Sequence, residues 1–203
     1  MGSPRRLGRV FVISSPSGGG KTTVVEQLQR RAPRLVRSVS LTTRPPRPGE
    51  RHGRDYRFVS LGTFEWMKRS GQLLEWAKVH GAYYGTPKRP IAQALAQGRH
   101  VLLSIDVQGA RKVRRLLGRQ AVLIFLLPPS RTTLRQRLLR RRTESAQAIT
   151  QRLAAAKREV ACARWYDYAM INDRLSETVT QVNAIVTAAG GRLPRPRKGK
   201  SDP

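Results

Sequence analysis

The sequence predicts an α/β fold: a parallel β-sheet flanked by helices on both faces, carrying a small mixed α+β insertion. Three observations carry that reading. Short apolar, β-rich runs alternate with helical stretches over most of the 203 residues, a pattern that implies parallel strands joined by helical crossovers. A glycine-rich turn stands between the first apolar run and the first helical stretch. From Ser38 to about Gly85 the alternation stops and turn residues take over.

The elements follow in order. "RVFVIS" (Arg9 to Ser14) reads as a buried strand. After "SSPSGGGKTT", the segment "KTTVVEQLQRRA" places Val24, Val25 and Leu28 near helical spacing. The stretch 38–85 holds alternating "DYRFVS" and a short helix candidate, "LGTFEWMKRSG". Alternation resumes with a helix at about Pro90 to Gln97, then the strand "HVLLSID", the helix "VQGARKVRRLLG" and the strand "QAVLIFLL". A long helical stretch begins after "PPS". The strand "YAMIN" and a helix from about Leu175 to Ala189 close the core. The expected organisation is therefore a basic extension at 1–8, a core of 9–37 and 86–190, and an insertion of 38–85. The end, 191–203, rich in Gly, Pro, Lys and Arg, is expected to be a disordered tail. There is no internal repeat.

Length and composition suit one domain with a full core. No apolar run approaches the ~20 residues needed to cross a bilayer, and the first apolar run is too short for a signal peptide. The lone Cys162 excludes an internal disulfide and fits a reducing compartment, so the chain is read as cytoplasmic. Its charge is unusual: 40 Lys+Arg against 12 Asp+Glu, a net +28. One reading is a partner rich in phosphate, nucleotide or nucleic acid; the other is drift towards arginine over a solvated surface. The even spread of basic residues favours drift as the background, with nonspecific nucleic-acid binding as a weaker addition. The tail carries little of this charge, so such binding would belong to the folded body.

The glycine-rich turn has the spacing of a phosphate-binding loop, except that Ser15 stands where the first glycine is usual. Gly18, Gly19 and Gly20 allow close backbone approach, with Pro16 and Ser17 between them and Ser15. A helix N-terminus favours negative charge. Lys21 supplies a mobile cation for β- and γ-phosphates, and Thr22 a hydroxyl for Mg²⁺, beside Thr23. The alternative, a plain strand-to-helix turn, leaves the Lys21-Thr22 pair without a reason. A small residue suffices at position 15 if its backbone angles are ordinary.

A second constellation lies in "SVSLTTRPPRPGERHGRDYRF". Five arginines, Arg44, Arg47, Arg51, Arg54 and Arg57, stand among hydroxyls and Tyr56. Arginine forks match phosphate bidentately. A solvated basic loop is the commoner meaning of such a run, but here it accompanies a triphosphate site.

The segment Ser-Val-Ser-x-Thr-Thr-Arg-x-Pro-Arg-x-Gly-Glu, followed by Gly-x-x-Tyr-x-Phe, resembles the GMP-binding segment of bacterial-type guanylate kinases. The likeness continues through "LLEWAKVHGAYYGT", "IDVQG", "LPPS", "RTE", "RLAAA" and "INDRL", from roughly Arg9 to Ala189. It implies the fold of P-loop nucleoside monophosphate kinases, with a helical lid at about 131–156. It also implies phosphorylation of GMP and dGMP by ATP with Mg²⁺. Arg44, Arg47, Tyr56 and Tyr84 would hold the GMP phosphate. Ser40 and Glu75 would read the base, with Thr86 and Asp106 nearby, and Asp106 would also serve the metal through water. One carboxylate at Glu75 can accept both N1–H and the amino group of guanine, whereas adenine presents an acceptor there. Arg137, Arg141 and Arg152 match lid arginines, of which Arg141 and Arg152 would also reach GMP. Asn172 and Asp173 match a segment near adenine.

The chain departs from the family pattern at Ser104, where an aspartate is common, and at Arg142, where glycine is usual. Two other readings, a non-catalytic binding module and a sugar-phosphate kinase, fit less well with Lys21 and Thr22 and with Ser40 and Glu75. His52, His80 and His100 lack ligand spacing, and Trp66, Trp76 and Trp165 read as packing residues.

Overall fold

The computed structural model describes residues 8–32, 34–139 and 146–190. The first apolar run is β1 (Val10–Ser14), every residue of it buried. It is followed by α1 (Lys21–Arg31), β2 (Val36–Arg37), β3 (Leu41–Thr42), β4 (Arg57–Phe58), α2 (Leu61–Arg69), β5 (Leu73–Val79), β6 (Ala82–Pro87) and α3 (Lys88–Ala96). Then come β7 (Val101–Ser104), α4 (Val107–Leu117), β8 (Ala121–Leu127), α5 (Arg131–Leu139), α6 (Ala146–Ala161), β9 (Tyr168–Ile171) and α7 (Leu175–Gly190).

Five strands form a parallel sheet in the order β2-β7-β1-β8-β9. Val10 of β1 pairs with Val101 on one side and with Ala121 on the other. Successive side chains of a strand point to opposite faces, and the core divides accordingly. Val10, Val12, Leu103, Leu123 and Phe125 pack under Ile91 and Ala94 of α3 and Ala110 and Val113 of α4. Phe11, Ile13, Leu102, Val122 and Ile124 pack under Val24, Val25 and Leu28 of α1 and Val179 and Val182 of α7. A sheet so covered needs apolar residues on both faces, which is why these strands read as continuous hydrophobic runs.

The chain leaves β1 for one side of the sheet and later returns to place β8 on the other. That reversal opens a crevice above the carboxyl end of β1, the usual ligand position in open α/β sheets.

The stretch after β2 builds a second sheet, β4-β3-β6-β5. Here β5 and β6 are antiparallel, joined through His80 and Gly81, both at positive φ, the conformation a tight hairpin turn requires. Helix α2, capped by Ser60 accepting the Thr63 N–H, buries Phe64. The helical stretch after "PPS" is two helices, α5 and α6. Ser130 accepts the Thr133 N–H at the start of α5. The two-residue β2 is too short to show a pattern in the sequence. Among the described residues no helix is long and apolar enough to cross a membrane.

Candidate active site

The crevice at the end of β1 is one pocket of about 490 Å³. Its floor is the glycine-rich loop. Gly18 and Gly20 both have φ of 86°, a conformation that L side chains rarely adopt. A Cβ on Gly19 would stand 2.8 Å from that of Ser15, so the loop is closed tightly against Ser15. Among the described residues His80 alone has a positive φ without being glycine. Ser15 therefore sits in ordinary backbone, and its small side chain turns its hydroxyl to the Pro16 carbonyl. No side chain caps α1, and no acid occupies its first turn, which leaves its N–H groups for an anion.

Lys21 extends back across the loop to donate to the Ile105 carbonyl at 2.9 Å. Burial of its ammonium pulls its pKa below the usual lysine range, against the opposing pull of Asp106, Glu159 and Glu75. Asp106 caps α4, its Oδ1 accepting the Gly109 N–H at 2.9 Å. Thr22 is exposed on the pocket wall.

The opposite wall comes from the second sheet and its loops: Ser40, Arg44, Arg47, Tyr56, Glu75 and Tyr84 line the same pocket. Arg44 is held on three sides. Its terminal nitrogens each reach a Glu50 oxygen at 2.6 Å, Nε donates to the Tyr84 hydroxyl at 3.1 Å, and the guanidinium lies 5.1 Å from the Tyr56 ring centre. Glu50 also accepts the Arg47 N–H. Burial acts to raise the Glu50 pKa, but Arg44 and the Arg47 N–H outweigh it and hold the carboxyl below its usual range. Burial pushes the Tyr56 phenol up.

Glu75 is 4% exposed and receives the Thr86 hydroxyl hydrogen. Burial lifts its pKa to about 7, while the Thr86 bond, Lys112 and Lys21 act to lower it and Asp106 to raise it. A Cβ on Gly109 would stand 2.5 Å from its Oε2, so the carboxylate rests directly on the first turn of α4.

The pocket thus gathers the loop residues Ser15 to Thr22, Arg44, Arg47, Tyr56, Tyr84, Ser40, Glu75, Asp106 and Arg152. Arg152 reaches it from α6 and donates to the Ser17 hydroxyl at 2.6 Å. Thr86 stands behind Glu75 and is wholly buried. Thr23 and Asp173 are exposed outside the pocket lining. Asn172 lies behind the loop, its amide donating to the Gly19 carbonyl at 2.8 Å. Arg137 donates to the Asn172 carbonyl at 3.2 Å. Arg141 and Arg142 lie outside the described residues. Sequence reading missed Glu50 and Glu159, which both line the pocket. The signal for Glu159 was its position seven residues after Arg152, two helical turns along the same face.

A phosphate loop and an arginine–tyrosine cage facing each other across one cleft define a P-loop kinase whose acceptor itself carries a phosphate. The family model "Guanylate kinase" matches residues 7–189. The chain is 48% identical over 183 residues to the guanylate kinase of Dechloromonas aromatica, covering 90% of each. It is 46% identical to that of Rhizobium etli, over 95% of this chain and 87% of the relative. The crystal structure of guanylate kinase from Anaplasma phagocytophilum superposes with a TM-score of 0.78 at 33% identity, covering 92% of this chain and 88% of that one. The chain belongs to the guanylate kinase family, and as such it is a nucleoside monophosphate kinase, an ATP:GMP phosphotransferase.

Proposed function

We propose that the two walls of the pocket divide the substrates of this reaction. The ATP phosphates lie on the loop from Ser15 to Thr22, and GMP or dGMP lies against Ser40, Arg44, Arg47, Tyr56, Glu75 and Tyr84. The carrying observation is the buried Glu75 in the same pocket as the free helix N-terminus and Lys21. An acceptor-only carboxylate there complements the adjacent donors of guanine and leaves adenine unmatched, a mismatch able to discriminate by ~10⁴.

The residues also fit Mg²⁺. Thr22, Asp106 and Glu159 offer oxygen donors in one pocket, the ligand type that Mg²⁺ takes. Among the described residues no group of three or more His, Cys, Asp or Glu could hold a metal alone, so substrate phosphates would complete the coordination. When bound, the ion neutralises charge on the β- and γ-phosphates. Thr22 would hold it directly and Asp106 through water.

The acceptor is already an anion near neutral pH, so the transfer needs no general base. Lys21 leaves the Ile105 carbonyl and follows the phosphates. Arg44, Arg47, Tyr56 and Tyr84 fix the GMP phosphate in line with the donor. Residues 38–85 and the lid at about 131–156 close over the site, bringing Arg137, Arg141 and Arg152 towards the transferring group and excluding water. The reaction belongs to purine nucleotide metabolism in the cytoplasm.

A coupled ADP-release assay with GMP, dGMP, AMP, IMP and ribose phosphates tests this reading. GMP, and less well dGMP, should be phosphorylated, and AMP should not. Lys21→Ala should lower kcat by ~10² or more. Unchanged GMP selectivity in Glu75→Gln would overturn the account of base reading.

A further inference from the structure

Glu159 lines the active-site pocket together with Thr22, Lys21 and Asp106, and the phosphoryl transfer itself assigns it no task. It enters the pocket from α6, on the same helix face as Arg152 and the buried Ala156. Its Oε2 is buried without a hydrogen-bond partner. Behind the pocket lining, Ser14 at the end of β1 and Tyr166 are buried as a pair. Ser14 is 0% exposed and Tyr166 8%. The two hydroxyls face each other, and Tyr166 also feels the charges of Asp106 and Glu159. Glu159 feels Lys21, Asp106 and Arg152, and its carboxylate also accepts the Ser17 N–H.

A buried polar atom left without a partner costs on the order of 1–3 kcal/mol, so the unpaired Glu159 Oε2 on this pocket marks a place for a hydrogen-bond donor. Its chemistry can be read from the walls. Two carboxylates, Asp106 and Glu159, and the Thr22 hydroxyl offer oxygen acceptors there. In the nucleotide-free pocket the Lys21 ammonium faces both carboxylates, and it leaves them when it follows the phosphates. The hydration shell of a divalent cation would be welcomed by both, because coordinated waters are strong hydrogen-bond donors. Thr22, on the same pocket, supplies the inner ligand.

We infer that Glu159 is a positioning residue of the divalent-cation site, accepting hydrogen bonds from cation-bound water together with Asp106. The inference rests on the Mg²⁺ reading above. It adds a function for α6: the lid helix that delivers Arg152 to the phosphates also delivers an acceptor to the metal. Residues that hold such outer ligands typically change metal affinity ~10–100-fold when lost.

The test uses the full chain with ADP, Mn²⁺ as the probe, and free Mn²⁺ read by electron paramagnetic resonance. Glu159→Gln keeps the size of the side chain and removes the charge. It should weaken Mn²⁺ binding about tenfold while ADP binding without metal stays at the wild-type level. Wild-type Mn²⁺ affinity in Glu159→Gln, with or without a lowered Tm, overturns the inference. Thr22→Ala separates the two levels. If it weakens Mn²⁺ and Glu159→Gln does not, the Mg²⁺ reading stands and Glu159 is structural. If neither variant changes Mn²⁺ affinity, both are overturned.

Discussion

Thr86 gives its hydroxyl hydrogen to Glu75 across the β5–β6 pair, and this bond is the strongest influence holding a buried carboxyl ionised. Burial still prevails and leaves Glu75 at about 7. In the base reading proposed above guanine binds the carboxylate form, so KM for GMP should fall as pH rises through about 7 and level off above it. Glu75→Gln should remove that dependence, leaving only the titration of the GMP phosphate. Thr86→Val should shift the profile to higher pH. Stability runs the other way. The folded value lies above the ordinary 4.5, so this contribution is complete below pH 4.5 and is lost as pH climbs through about 7. In nucleotide-free thermal melts, Glu75→Gln should therefore gain on the wild type between about pH 5 and pH 8. Parallel melting curves would contradict the assignment.

Gly109→Ala should separate base reading from folding. Alanine is the better helix former by about 1 kcal/mol, so α4 itself gains. The new Cβ would stand 2.5 Å from Glu75 Oε2 and 2.9 Å from its Cδ. The movable end of Glu75 has to yield. A displacement near 1 Å in a positioned group costs up to ~10² in rate. The expected result is a near wild-type Tm with kcat/KM for GMP reduced by about that factor and ADP binding unchanged. A wild-type response to GMP would mean that Glu75 does not depend on this contact.

Much of the sheet was legible because β1, β7 and β8 are covered on both faces and so read as unbroken apolar runs. The phosphate loop was legible because its glycines are forced by φ and by close approach. The reason Ser15 is tolerated was also within reach, since it needs only an ordinary backbone. Glu50 was hidden, because its role depends on a turn that folds it back onto Arg44. Glu159 was hidden because the helical period places it beside Arg152 but does not say which way that face points. Asn172 resembled a residue near adenine, and the fold places its amide on the Gly19 carbonyl. A local turn decided the first, and long-range packing the other two.

The pair formed by Arg44 and Glu50 makes a prediction of opposite sign to that of Glu75. Arg44 and the Arg47 N–H hold Glu50 below its ordinary 4.5. Its contribution is therefore present above pH 4.5 and is lost as pH falls below that value. The Glu50 side chain is 20% exposed, and solvent screening limits the pair to about 1 kcal/mol. Glu50→Gln should lower Tm at neutral pH by a matching few degrees and converge with the wild type in acid. Arg44→Lys should raise KM for GMP by about tenfold, because an ammonium cannot reproduce the fork that a phosphate or carboxylate engages. A Tm difference that persists at pH 3 would show that Glu50 acts through packing and not through its charge.

Asn172 tests whether the phosphate loop is braced from behind. Its amide donates to the Gly19 carbonyl at 2.8 Å, and a Cβ on Gly20 would fall 2.4 Å from the same nitrogen. Asn172 is buried, and Arg137 closes over its carbonyl. Asn172→Ala leaves the Gly19 carbonyl without its partner in a covered position, a loss of about 1–3 kcal/mol. The loop should then hold its anion-binding shape less well, so KM for ATP should rise while KM for GMP changes little. A residue that read adenine would behave differently, because its loss would reduce the preference for ATP over GTP. An unchanged ATP-to-GTP ratio together with a higher KM for both assigns Asn172 to the loop. A collapsed ratio with an unaltered Tm assigns it to the base.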